Sequence, residues 1–274
     1  MKQCDLILSV VPPRDAEATA QRIIDALSGD AAKARTKELL FADLNAVSPT
    51  TAKSIAANFA RSRVPVRFID GCILGGPPQL KSAPDAKTNV TMNDGGDDAS
   101  EWTRPRIPIS GPDGLSSLPD GEVLSKLLNF RSVSADIGAA SGLKMCFAAL
   151  TKGYTALATQ SFTTAHALGV GDELRREMGA LIPTHLSGAE RGVPSMVPKA
   201  YRWVKEMEEI AATMSEEGGW GKGLFEGVAD VYRLVAADEV LSKEKTGKRT
   251  RGTTVDDVAA VMAEGLQKRR KKEE

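Results

Sequence analysis

Lys144 stands in the segment GAASGLKMCFAALTKG, residues 138–153, whose other residues before the final TKG are small or apolar. Burying a lysine without a partner costs several kcal/mol, so its amine either reaches water or faces a cleft that holds something polar. In a cleft, burial would lower its pKa from ~10.4 and make it a usable base. Gly138 and Gly142, one turn apart, either open space for a ligand beside Lys144 or let this helix pack closely on another. The residues alone leave both alternatives open.

Three further segments combine turn residues with polar groups. They are SVVPPRD (9–15), DLNAVSP (43–49) and DGCILGGPP (70–78). Each follows an apolar run that is typical of a buried strand, so we expect all three to project from one edge of a sheet. Glycines in the third segment would let the backbone approach a ligand, although glycine and proline after a strand are also ordinary turn residues.

The first hundred residues alternate between strand and helix patterns, which predicts an α/β unit with a parallel sheet. Ser48 and Pro49 are typical of a helix N-cap and first helical position. The predicted strands lie in 4–11, 38–47 and 64–76, and the predicted helices in 14–29 and 48–63.

The pattern changes after residue 76. Residues 77–105 are rich in Pro, Gly, Asp and Asn, which predicts a long mobile loop, and RIPIS (106–110) predicts one more strand. From residue 119 onward we expect helices only. The domain boundary is therefore predicted near residue 112, with an α/β domain in 1–112 and an all-α domain with a basic tail in 113–274.

Composition narrows the function classes. Thirty-six basic residues balance thirty-six acidic ones, which argues against nucleic acid or a membrane surface as partner. Three dispersed cysteines favour a reducing compartment, the cytoplasm, and argue against a disulfide framework. Their spacing and the presence of only two histidines argue against a metal site. The longest uncharged run, residues 153–171, is too rich in Thr, Ser and Gln to predict a membrane span.

Four segments taken together, CDLILSVVPP, FADLNAVSP, FIDGCILGGPP and GAASGLKMCFAALTKG, resemble in order and spacing the later motifs of β-hydroxyacid dehydrogenases and 6-phosphogluconate dehydrogenase-like proteins. The resemblance covers roughly residues 4–240. It implies a partial Rossmann-type sheet followed by a helical C-terminal domain through which the protein forms a homodimer. It also implies oxidation of a small hydroxy-acid-type substrate by hydride transfer to NAD or NADP.

The resemblance also implies roles for individual residues. Lys144 matches the family's catalytic lysine, which takes the hydroxyl proton as hydride leaves the adjacent carbon. The remaining matches are cofactor contacts and substrate contacts. Cofactor contacts are Val11, Pro12, Pro13, Asn45, Ser48 and Lys205, and substrate contacts are Gly75, Gly76, Ser141 and Gly142.

The sequence departs from the family pattern in three places. Leu74 stands where a serine usually precedes the loop glycines, and Phe147 and Ala148 stand where an asparagine usually follows the lysine. These losses favour a larger or less polar substrate, or a non-catalytic scaffold that keeps the fold. Residues 1–274 also hold no G-x-G-x-x-G turn, so we expect a fragment that lacks the first half of its dinucleotide domain.

Overall fold

The structure is a computed structural model that describes residues 4–28, 37–81, 102–244 and 247–274. The chain divides into two compact units, Met1–Lys144 and Met145–Glu274. The division falls at residue 144 and not near residue 112, because one more strand of the first unit's sheet follows residue 112.

The first unit contains a five-stranded sheet of order β1-β2-β3-β6-β7. Strands β1, β2 and β3 are parallel, which confirms the predicted parallel arrangement, whereas β6 runs antiparallel to β3 and β7 runs parallel to β6. A separate two-stranded ribbon pairs β4 with β5. The strands are β1 (Leu6–Ser9), β2 (Leu39–Asp43), β3 (Val66–Gly71), β4 (Gln79–Leu80), β5 (Trp102–Thr103), β6 (Ile107–Ser110) and β7 (Phe130–Ser134).

Strand β7 corrects the expectation of helices alone after residue 119. Its sequence, FRSVS, has no apolar run, and none of its five residues is buried. Its pairing with β6 therefore depends on main-chain hydrogen bonds between distant segments and leaves little trace in the local pattern. The ribbon of β4 and β5 was also not predicted, and residues 82–101 of the expected mobile loop lie outside the described residues.

Strand β2 explains how the sheet is held. All five of its residues are buried, because both faces of the sheet are covered. Leu39 and Phe41 contribute to the core beneath the first two helices, and Leu40 and Ala42 contribute to a second core on the other face. The continuous apolar run in the sequence follows from this two-sided burial.

Nine helices are described, and they begin and end as follows: α1 (Ala16–Leu27), α2 (Pro49–Ser62), α3 (Gly121–Leu128), α4 (Ala139–Ala167), α5 (Gly171–Leu181), α6 (Pro183–Met196), α7 (Ala200–Glu216), α8 (Gly223–Ala237) and α9 (Val255–Glu273). Helix α4 begins in the first unit and continues into the second. The second unit is otherwise formed by α5–α9 with short 3-10 turns.

The second unit is organised around α7 and α8. Tyr232 of α8 is fully buried and meets Trp203 of α7 edge to face, with ring centroids 5.3 Å apart. Lys152 of α4 lies over the Trp203 ring and pairs with Glu206. Burying a charge is costly unless it is paired. The ion pair with Lys152 therefore explains how α7 carries the buried Glu206 among apolar residues.

Candidate functional site

Four polar residues form a row across the sheet at the carboxyl ends of the parallel strands. In the register of neighbouring strands, Ser9 lies opposite Asp43, Asp43 lies opposite Asp70, and Asp70 lies opposite Ser110. All four are buried. Ligands of open α/β sheets bind outside this edge, so the row marks the floor of the candidate site.

The turns after β1 and β2 are tied together by Asn45. Its Oδ1 accepts a hydrogen bond from the Val11 amide at 2.6 Å, and its Nδ2 donates to Ser9 Oγ at 3.0 Å. Asn45 is itself buried. The structure therefore brings the predicted residues Val11 and Asn45 together, with the Asn45 side chain shaping the loop that continues into Pro12 and Pro13.

Ser48 caps α2, as the sequence predicts. Its Oγ accepts a hydrogen bond from the Thr51 amide at 3.1 Å, and Pro49 occupies the first helical position. Ser48 and Pro49 are both buried. This cap fixes the start of α2 beside the turn that carries Asn45.

Lys144 lies at the same edge. Its Nζ donates to the carbonyl of Ile73 at 2.7 Å, in the segment that leaves β3. Burial lowers the pKa of Lys144 below its ordinary value, and the nearby Cys72 acts in the opposite direction. Lys144 is therefore partly buried and held by a main-chain carbonyl, and its place in a ligand-binding cleft stays a prediction.

The two glycines beside Lys144 serve close packing. A Cβ on Gly138 would lie 3.2 Å from Pro49 Cβ, and one on Gly142 would lie 3.4 Å from Pro49 Cγ. The space that they leave is therefore occupied by the first turn of α2. The hydroxyl of Ser141, predicted to meet substrate, donates to Asp70 Oδ1 at 2.5 Å.

The predicted substrate loop is built from two unlike glycines. Gly75 has φ +111° and lies beside Pro105, whereas Gly76 has open space around it. Leu74 forms a reciprocal backbone bridge with Arg106, with N–O distances of 2.8 and 2.9 Å. The loop is thus fixed at its base and exposed at its glycines.

Lys205, the remaining predicted cofactor contact, lies on α7 in the second unit. Its Nζ pairs with Glu209 at 3.1 Å and Glu208 at 3.6 Å. These carboxylates hold the amine along its own helix.

Two aspartates escaped the sequence analysis. Asp70 is fully buried and accepts four hydrogen bonds, and Asp43 is buried with its Oδ2 lacking a hydrogen-bond partner among the described residues. Burial raises the pKa of Asp43 to about 6, with Asp70 adding to the effect and the Asn45 amide opposing it. Their signal was the repeated apolar pair followed by aspartate at a strand end, in FAD and FID.

Cys72 also escaped the analysis. It is fully buried, and burial raises the pKa of its thiol to about 12, with Lys144 opposing the shift. The thiol is therefore uncharged at neutral pH. Within the part of the chain that the structure describes, no group of three His, Cys, Asp or Glu side chains is arranged to hold a metal ion.

The second unit contains a separate groove of about 910 Å³. It is mainly apolar, and its walls come from α4, α6 and α8. The exposed side chains of Leu150, Leu157 and Leu224 line it together with Tyr154, His185 and Phe225. Three exposed leucines on one concave apolar wall make this groove a candidate interaction surface.

Comparisons with known proteins follow from this architecture. A family model described as a domain of unknown function (DUF1932) matches residues 165–235, in the second unit. No curated protein matches the chain. Among solved structures, a conserved hypothetical protein from Sinorhizobium meliloti 1021 is 20% identical with a TM-score of 0.63, over 97% of this chain and 76% of that one.

The descriptions of two further solved structures mention hydroxyacid dehydrogenases. A conserved protein of unknown function, described as structurally similar to 3-hydroxyacid dehydrogenases, is 21% identical with a TM-score of 0.54, over 86% of this chain and 76% of that one. The 3-hydroxyisobutyrate dehydrogenase of Mycobacterium tuberculosis, described with L-serine, is 16% identical with a TM-score of 0.53, over 95% of this chain and 79% of that one.

These likenesses confirm the predicted fold: the chain has the fold of the β-hydroxyacid dehydrogenases, a Rossmann-like sheet followed by a helical domain. Its second unit carries the DUF1932 match. Among the helices that the structure describes, none combines the length and apolarity that a membrane crossing requires.

Proposed function

We propose that this protein is an NAD(P)-dependent oxidoreductase that acts on a hydroxy-acid-type substrate, with Lys144 as its general acid/base. The observation that carries the proposal is the Lys144 amine, which lies at the carboxyl edge of the parallel strands with its pKa lowered by burial. A base works best when its pKa lies near the working pH, and burial moves a lysine in that direction.

In this reaction the neutral Lys144 amine takes the proton of the substrate hydroxyl. Lys144 thereby becomes an ammonium ion and the C–O bond becomes a carbonyl; a bound nicotinamide would supply the acceptor for the hydride that leaves the hydroxyl-bearing carbon. The Ile73 carbonyl accepts a hydrogen bond from Lys144 Nζ in either state, which keeps the amine in place while its charge changes. In the reverse direction the ammonium returns the proton.

The residues at the sheet edge fit one end of a nicotinamide cofactor, whose chemistry is to accept or supply the hydride. Val11, Pro12 and Pro13 form the turn after β1, and Asn45 ties this turn to the one after β2. No glycine-rich turn between a strand and a helix is present among the described residues to hold a pyrophosphate. We therefore assign these residues to the nicotinamide end alone.

The substrate is proposed to be larger or less polar than a short hydroxy acid. Leu74 offers its backbone to Arg106 and carries no hydroxyl. One turn beyond Lys144, Ala148 is buried and Phe147 is exposed. Neither side chain carries an amide group for a polar substrate. Gly75 and Gly76 remain the backbone groups of this loop nearest to open space.

We also propose that a second copy of the chain covers the groove in the second unit. Leu150 is 78% exposed and Leu224 is 67% exposed, although both line the same concave apolar surface. Burying these two leucines would contribute about 1.5–3 kcal/mol each. A homodimer would therefore remove this apolar surface from water. We place the protein in the cytoplasm, where its three free cysteines stay reduced.

The test uses the protein purified from its source, with its intact mass recorded. Binding of NADH and NADPH is followed by fluorescence, and turnover of a panel of 2- and 3-hydroxy acids is followed by cofactor absorbance. Lys144→Ala should abolish turnover and spare cofactor affinity, whereas Lys126→Ala, at an exposed lysine of α3, should change neither. Failure to bind either cofactor would favour the scaffold alternative and overturn the proposal.

A further inference from the structure

Asp70 is the most heavily hydrogen-bonded side chain at the sheet edge. Its Oδ2 accepts from Ser110 Oγ at 2.8 Å, from the Gly138 amide at 3.0 Å and from the Ser141 amide at 3.1 Å. Its Oδ1 accepts from Ser141 Oγ. A fully buried carboxylate is tolerated only when donors replace its water, and these four donors do so.

Three of these four donors, the Gly138 amide and the amide and hydroxyl of Ser141, belong to the start of the lysine helix. The first amides of an α-helix have no partner within the helix, and the helix dipole places positive charge there. Asp70 satisfies two such amides, and Ser110 Oγ accepts from a third, that of Ala140, at 3.0 Å. A carboxylate from β3 and a hydroxyl from β6 therefore attach the first turn of α4 to the sheet.

The attached turn is the one that places Lys144. Ser141 and Lys144 are three residues apart, so they lie on neighbouring positions of one helix face. Ile73 follows Asp70 by three residues, and its carbonyl accepts the hydrogen bond from Lys144 Nζ. The short segment 70–73 thus holds both the backbone of the lysine helix and the amine at the end of its side chain.

We propose that Asp70 is the positioning residue for Lys144: its carboxylate fixes the first turn of α4 so that the amine reaches the Ile73 carbonyl and stays partly buried at the sheet edge. This inference rests on the proposed function, because it is the base Lys144 that Asp70 positions. Asp70 makes no contact with reacting atoms. Its effect on the reaction passes through the helix.

Two substitutions separate positioning from charge. In Asp70→Asn, one oxygen can remain at the place of Oδ2 for its three donors, while the new NH₂ group donates to Ser141 Oγ, whose hydroxyl can rotate. In Asp70→Ala, all of these buried donors lose their acceptor at once. Positioning therefore predicts that asparagine rescues most of the function that alanine loses.

The readout is the pKa of the Lys144 amine itself, which needs no substrate. Competitive acetylation over a pH series, followed by peptide mass spectrometry, gives this pKa and that of exposed Lys126 in the same sample. In the wild type we expect Lys144 to titrate below the ordinary lysine value. In Asp70→Ala the loosened helix should hydrate the amine, raise the Lys144 pKa by about half a unit or more and lower its neutral fraction at pH 8 by about threefold. Asp70→Asn should keep the wild-type value.

Two controls keep the proposal open to refutation. Ile55→Val thins the core under α2 without touching α4, so it should lower the melting temperature and leave the Lys144 pKa unchanged. Ser110→Ala removes one donor to Asp70 and the acceptor for Ala140, so it should raise the Lys144 pKa even if Asp70→Ala does not fold. An unchanged pKa in Ser110→Ala and in every folded Asp70 variant, or an equal rise in Ile55→Val, would refute the inference. If Lys144 proves dispensable for turnover, the proposed function fails, while this pKa result is still decided by its own measurement.

Discussion

Lys144 and Ile73 are joined by a hydrogen bond of 2.7 Å although 71 residues separate them in the chain. The amine donates to a main-chain carbonyl, and no carboxylate lies within ion-pair distance of it in the part of the chain that the structure describes. A partly buried ammonium that is held by a main-chain carbonyl and no carboxylate is costly, and burial accordingly lowers the pKa of Lys144. If Lys144 is the proposed base, its lowered pKa comes at a cost in stability.

The first prediction concerns the stability cost of the Lys144 charge. Lys144→Met removes the buried charge and keeps most of the side-chain volume, so we expect the variant to melt above the wild type at pH 7. Because the folded pKa of Lys144 lies below its unfolded value, the wild type gains stability as the pH rises towards 10, and the gap should narrow there. Calorimetry at pH 7 and pH 10 measures it, with exposed Lys126→Met as the matched control. A variant that melts below the wild type at pH 7 would contradict the assignment.

The second prediction concerns Asp43, whose pKa rises from 3.8 to about 6 on folding. The folded state therefore holds a proton that the unfolded state releases, and stability that is present below pH 4 is lost as the pH rises through about 6. A difference of about two units corresponds to on the order of 3 kcal/mol.

Asp43→Asn keeps an oxygen for the Asn45 amide and cannot ionise. We expect it to match the wild type at pH 3.5 and to exceed it in urea unfolding at pH 8. Asp113→Asn, on a partly exposed carboxylate that pairs with Arg67, should not show this gain at pH 8. Equal pH profiles for wild type and Asp43→Asn would show that Asp43 stays ionised in the folded protein.

The third prediction distinguishes the two loop glycines. Gly75 has φ +111°, a conformation that an L side chain rarely adopts, so Gly75→Ala should lower the free energy of unfolding by about 1–2 kcal/mol. A Cβ on Gly76 would meet nothing within 4 Å, so Gly76→Ala should be nearly neutral. Urea unfolding of the two variants measures the difference, and equal losses would argue against the described loop geometry.

The fourth prediction tests the groove in the second unit. Leu150→Asp places a charge on this apolar surface and should shift the protein towards monomer in analytical ultracentrifugation. Leu181→Asp is the matched control, since Leu181 is 76% exposed on α5 and does not line the groove. A wild-type protein that is monomeric throughout, or a Leu150→Asp protein that remains dimeric, would contradict the proposed homodimer.

Much of the architecture was predictable because its causes are local. The run LLFAD is apolar at every position but the last, and a strand covered on both faces needs that pattern. Ser48 and Pro49 predicted the start of α2 because a cap and the first helical residue are adjacent in sequence. The four motifs predicted the family fold through their resemblance to the β-hydroxyacid dehydrogenases.

Strand β7 shows where local pattern fails. FRSVS has no buried residue, and nothing in its composition distinguishes it from a turn. Its partner is β6, more than twenty residues earlier, so only the folded sheet decides that this segment is a strand and that the first unit extends to residue 144.

The sequence by itself determined that a lysine would follow two glycines on a helix, and that three turns would leave one edge of a parallel sheet. Only the tertiary structure decided that the glycines pack against Pro49. It also decided that Ser141 donates a hydrogen bond to Asp70 and that the Lys144 amine donates one to the Ile73 carbonyl. The physical reason is separation. Asp70 and Ser141 are 71 residues apart, and a hydrogen bond over that distance exists only once the sheet and the helix have packed together.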